Sequence, residues 1–119
     1  MKKHTKLYFE YFDYDRSSFI PCELTGLRAV DIHHIRARGM GGTKKAETIE
    51  NLMAATREMH LLYGDKQNFI SFLDDAHANF LETQEPFITN HADHPAFDEL
   101  LTYNDLYKTL IKNARRNNR

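Results

Sequence analysis

Two adjacent histidines, His33 and His34, close the run Leu27-Arg28-Ala29-Val30-Asp31-Ile32, and a third, His60, lies nine residues beyond Asn51. Imidazole titrates near neutrality, so its neutral form serves as a general base or as a metal ligand. A glycine-rich, basic stretch, Arg36-Ala37-Arg38-Gly39-Met40-Gly41-Gly42, separates the histidine pair from Asn51, with Lys44 and Lys45 close behind. Arg36, Arg38, Lys44 and Lys45 are of the type that contacts phosphates. The glycines either let a backbone approach a nucleic acid closely or make a flexible loop. Asn51 carries both a donor and an acceptor, which suits it to holding one piece of chain against another. Asp31, two residues before His33 and on the same strand face, is either a carboxylate that steadies an imidazole or a surface residue.

The order His-His-Ile, Asn-Leu and a late His resembles the HNH endonucleases of the ββα-metal (His-Me finger) superfamily, over roughly residues 20–65. The resemblance implies a metal-dependent nuclease that hydrolyses phosphodiester bonds in DNA, leaving 5′-phosphate and 3′-hydroxyl ends. His34 is then the general base, His33 and His60 hold one divalent ion, and Asn51 orients the site. Small free-standing members often travel with phages and mobile elements. The alternative is a catalytically weak or inactive HNH-shaped module that binds nucleic acid, or a subunit of a larger nuclease complex.

Two departures from the family pattern bear on the metal. Many members carry Cys-x-x-Cys pairs that hold a structural zinc. Here Cys22 is followed by Thr25, and the second knuckle positions are Thr56 and Met59, so no four-cysteine zinc site forms and apolar packing is expected in its place. A third ligand histidine, four residues after the late one in some members, is replaced by Gly64. Either His33 and His60 hold the ion alone, or Asp65 reaches in. So thin a protein ligand set favours Mg²⁺ or Mn²⁺, while the imidazoles keep Zn²⁺ and Ni²⁺ in contention.

Length and composition frame this reading. With 119 residues the chain is expected to be one domain, and it holds one cysteine, no long apolar run and no apolar signal-peptide core after Met1-Lys2-Lys3-His4, as in a cytoplasmic protein. The formal charge of −1 hides a partition. Residues 1–45 carry nine Lys/Arg against five Asp/Glu, residues 46–105 two against twelve, and residues 106–119 five against none. Positive potential therefore lies beside the histidine pair, as DNA binding requires, and the acidic helical half suits a protein partner or a homodimer.

The elements expected to position these residues make an α+β, mostly helical fold. An aromatic helix occupies residues 1–19, with Leu7, Tyr8, Tyr11 and Phe12 on one stripe and His4 disordered. A ββα core over 20–65 follows: a knuckle turn at Pro21–Gly26, strands Ala29–Ile35 and Asn51–Thr56, and a helix over Arg57–Tyr63. A helical extension over 66–119 completes the domain, with helices at Lys66–Thr83, Ala96–Leu101 and Tyr103–Ala114 and a loop at Pro86–Pro95. His77 is read as a polar-face or packing residue, and His91, Asp93 and His94 as a solvated loop cluster.

Overall fold

A computed structural model describes residues 1–36 and 47–117. Arg38, Lys44 and Lys45 lie outside the described residues. The fold is mixed α+β and mainly helical, built on a two-stranded antiparallel sheet. Strand β1 (Asp31–His34) pairs with β2 (Leu52–Ala55) in the register Asp31↔Ala55, Ile32↔Ala54, His33↔Met53 and His34↔Leu52.

This register gives the sheet two faces, because successive side chains alternate. Leu52 and Ala54 turn toward helix α1 (Lys3–Phe12), where they join Tyr8 in a small apolar cluster. Met53 and Ala55 join the larger core on the other face, with Met59 and Tyr63 of helix α2 (Arg57–Tyr63), Phe72, Leu73 and Ala76 of α3 (Ile70–Thr83), and Tyr107 and Ile111 of α5 (Asp105–Asn117). All four β2 residues are buried, as expected of a strand covered on both faces. The α1 stripe is narrower than its spacing predicts: Tyr8 is fully buried but Tyr11 is 54% exposed.

Both strands are shorter than expected because their flanking residues have other work. Asn51 ends a short 3₁₀ turn (Ile49–Asn51) and its side chain reaches the Arg36 peptide. Thr56 caps α2, its hydroxyl accepting the Met59 N–H at 3.1 Å. The knuckle turns at Gly26, whose φ of +82° is open to glycine at little cost. Its carbonyls at Glu23 and Leu24 accept the N–H groups of Phe87 and Ile88. Those bonds anchor helix α4 (Phe87–His91), so the stretch expected to be a loop contains a helical turn. Cys22 is fully buried in the larger core with Leu24, Met59 and Tyr107.

The remaining differences are local. Residues 66–69 form a 3₁₀ turn (Gln67–Phe69) before α3 begins, and Pro95–Leu101 is 3₁₀ rather than α. His91 and Asp93 are exposed, as expected of a solvated cluster, although the His91 ring stacks on Phe87 with planes 8° apart; His94 is half-buried, its ring 4.8 Å from that of Phe72 and its Nδ1 capping the 3₁₀ turn.

Candidate functional site

His33, His34 and His60 line one open cleft of about 360 Å³, together with Lys2, His4, Asp31, Ile32 and Asp65. The two strand histidines reach it from opposite faces of β1, and each meets a different helix there. His33 faces α2, where its ring stacks on His60 at a centroid separation of 4.4 Å with planes 10° apart. His34 faces α1, its ring 4.7 Å from that of His4 and tilted by 47°.

Each ring of the His33–His60 pair has one nitrogen committed. His33 Nδ1 donates to the His34 carbonyl at 3.2 Å, and His60 Nδ1 lies 3.1 Å from Asp31 Oδ2. A nitrogen that donates to an oxygen carries the proton, so both rings present Nε2 as the lone-pair nitrogen. Burial first, and the neighbouring His60 imidazole second, push His33 down to about 4, so it is neutral at physiological pH. Asp31 also accepts from Arg57, at 3.0 and 3.1 Å. The carboxylate is thus held between a cation and an imidazole and fixes the orientation of His60.

Gly64 completes this half of the site. A Cβ built there would lie 2.6 Å from His60 Cδ2 and would collide with the His60 carbonyl. The ring packs directly over the glycine backbone. Asp65, exposed and with φ of +58°, follows it and lines the cleft.

His34 Nε2 meets Glu47 Oε1 at 2.8 Å. His4, expected to be disordered, sits in the first turn of α1 and donates from Nε2 to the Ile32 carbonyl on the free edge of β1, at 3.0 Å. Its Nδ1 is buried without a hydrogen-bond partner among the described residues. Burial, then the adjacent His34, lowers the His4 pKa.

Asn51 grips the chain as it leaves β1. Its Oδ1 accepts the Arg36 N–H at 2.8 Å and its Nδ2 donates to the Arg36 carbonyl at 3.0 Å. The Arg36 side chain turns away from the cleft into a two-pronged ion pair with Asp74 on α3, at 2.9 and 2.6 Å. A phosphate would have to compete with that carboxylate for Arg36.

As metal ligands, His33 and His60 fit in donor chemistry but not in present aim. Two lone pairs lying in near-parallel planes cannot meet at one point, so one ring must turn to share an ion. The three-residue set His4, His34 and Glu47 offers donor atoms all within 4.8 Å of one another, the one such group among the described residues.

Three features escaped sequence reasoning. His4 was legible in principle, since it precedes the buried Tyr8 by four residues and shares its helix face. Glu47 follows the glycine-rich stretch with no pattern to mark it. The third is a buried network: Glu23, fully inaccessible, accepts from Tyr8 Oη at 2.5 Å and from the Ala54 N–H at 3.2 Å, and meets His77 Nδ1 at 2.6 Å. His77 Nε2 in turn donates to the Ile49 carbonyl at 2.6 Å. The network ties α1, the knuckle, β2 and α3 together beneath the sheet.

Comparisons with protein-family models, with curated proteins and with solved structures return no match. No helix among the described residues is long and apolar enough to cross a membrane.

Proposed function

We propose that the protein is a metal-dependent endonuclease of the HNH type that hydrolyses phosphodiester bonds in DNA. The observation that carries the reading is the convergence of His33, His34 and His60 on one open cleft, with Asp31 behind His60. An antiparallel hairpin followed by a helix packed on it supports a ββα core.

In this reading His34 is the general base. With Nε2 committed to Glu47, the proton from the attacking water goes to Nδ1, and the Glu47 carboxylate stabilises the imidazolium that forms. His33 and His60 would hold a divalent ion through Nε2, and Asp31 keeps His60 in the required tautomer. When bound, the ion supplies charge stabilisation at the phosphate and help for the departing 3′ oxygen. Asn51 fixes the exit of β1, so that His34 is held from its C-terminal side.

A second reading draws on the near-parallel His33 and His60 rings. It is a module of the same shape, or a subunit of a larger nuclease complex, that binds nucleic acid with negligible cleavage. Incubating the metal-stripped full chain with duplex DNA and Mg²⁺, Mn²⁺, Ni²⁺ or Zn²⁺ separates the two. The nuclease reading expects ion-dependent products whose ends religate without repair, as 5′-phosphate and 3′-hydroxyl ends do. Binding that weakens with salt, without any product, favours the module.

A further inference from the structure

We propose that His4, His34 and Glu47 form a second cation site, selective for Zn²⁺ and similar ions, whose occupation takes His34 out of service. The site joins three separate pieces of chain: the first turn of α1, the end of β1, and the chain entering the Ile49–Asn51 turn. Two imidazoles and one carboxylate are a ligand set that zinc prefers, and leave a fourth position open.

The geometry is close to what the ion needs. Donor atoms within 4.8 Å of one another must settle at the roughly 3.3–3.6 Å spacing of a tetrahedron with bonds of about 2.0–2.2 Å, the wider pairs closing and the 2.8 Å His34–Glu47 contact opening slightly. Side-chain movements of about an ångström at each residue cover that difference. Unlike the His33–His60 stack, the His4 and His34 rings are tilted by 47°, so their lone pairs can converge. His4 is also already in the required tautomer. Its Nε2 proton is spent on the Ile32 carbonyl, and the Nδ1 lone pair left over is buried with no hydrogen bond among the described residues. A buried acceptor without a donor is costly unless something binds it. The bond from Nε2 to a backbone carbonyl is also the support that ligating histidines commonly have.

The consequence for His34 rests on the nuclease reading; the binding does not. A coordinated neutral imidazole has its one lone pair on the ion and its proton on the other nitrogen. It cannot accept a further proton. Zn²⁺ at this site therefore blocks a base that Mn²⁺ or Mg²⁺ at His33 and His60 leaves free.

The test uses the full chain carrying His60→Ala, which disables the other ion site, with circular dichroism to establish folding. Zn²⁺ binding is followed by calorimetry, and Co²⁺ by its visible ligand-field absorption. The expected result is one ion bound per chain, with affinity falling at least about tenfold when His4→Ala or His4→Gln is added. A His60→Ala chain that binds no ion overturns the site, and so does equal affinity with His4 replaced. In the wild-type chain, excess Zn²⁺ should suppress Mn²⁺-supported nicking, and His4→Ala should nick but resist suppression. Suppression that is the same in both overturns the link to His34. If no chain nicks DNA but His4-dependent binding is seen, the cation site stands and the nuclease reading falls.

Discussion

Gly64 lies directly beneath the His60 imidazole, so close that a single added methyl would stand 2.6 Å from His60 Cδ2. The residue that ends α2 is therefore also the floor on which a site histidine rests. Gly64→Ala is expected to push His60 off His33 and to destabilise the fold by about 1–3 kcal/mol, as overpacking does. Thermal unfolding reads the second effect and Mn²⁺ affinity of the folded variant the first. An alanine that leaves both unchanged would mean that the ring has room to spare.

Asp31→Asn keeps the shape of the side chain but removes the charge that faces His60 Nδ1 and Arg57. Ion affinity at the His33–His60 pair is expected to fall about 10–100-fold, the usual effect of losing a carboxylate behind a ligand imidazole. Because Arg57 is exposed, the lost ion pair should cost no more than about 1 kcal/mol of stability. Calorimetric titration with Mn²⁺ beside a urea melt separates the two quantities.

Asn51→Ala removes both hydrogen bonds that hold the Arg36 peptide. The expected cost is about 1–3 kcal/mol for partly buried polar groups left unsatisfied. Amide hydrogen exchange at Ile35 and Arg36 should rise more than exchange in α5, which is remote from the clamp. Uniform acceleration through the chain would contradict a local role.

The metal-free protein should be most stable near neutrality, because two buried histidines respond to pH in opposite senses. Burial holds His33 at about 4, below its unfolded value of about 6.5, so its contribution is full above pH 6.5 and is lost as pH falls from there toward 4. His77 is shifted the other way: burial alone would lower it, but the Glu23 carboxylate and the Ile49 carbonyl raise it. Glu23 is also raised, by burial, against the pull of His77, Tyr8 and the Ala54 amide. The folded pair thus holds its proton more firmly than the unfolded chain does. That contribution is full below about pH 6.5 and is lost as pH rises through the folded His77 value. Urea midpoints across this range should trace a dome, and replacing both Glu23 and His77 with Gln should flatten its alkaline arm. Stability that climbs with alkaline pH would contradict the assignment.

How far the site could be read from sequence follows from how local its geometry is. The helix over Arg57–Tyr63 falls on its expected bounds because adjacent residues start and stop it, Thr56 with a capping hydroxyl and Gly64 with extended backbone. The hairpin was legible because Asp31, His33, Met53 and Ala55 follow the two-residue alternation of a strand. The partners of the site were not legible, because they come from distant pieces of chain. Glu47 reaches His34 across the glycine-rich stretch, Asp74 takes Arg36 from a helix 38 residues on, and His77 meets Glu23 across 54 residues. His77 illustrates the limit. Its place in an amphipathic helix leaves open whether it lies on the polar face or packs inward, and the charge waiting for it belongs to the knuckle.

The nuclease reading makes His34 a base and His60 an ion ligand in one reaction. It is tested most directly by nicking of supercoiled plasmid by the metal-stripped full chain, with Mg²⁺ or Mn²⁺ restored, beside His34→Ala and His60→Ala. The expected result is ion-dependent nicking that falls by at least about 100-fold when the base is removed, and likewise when His60 is removed, while both variants still bind DNA. Nicking that survives His34→Ala at the wild-type rate would contradict it.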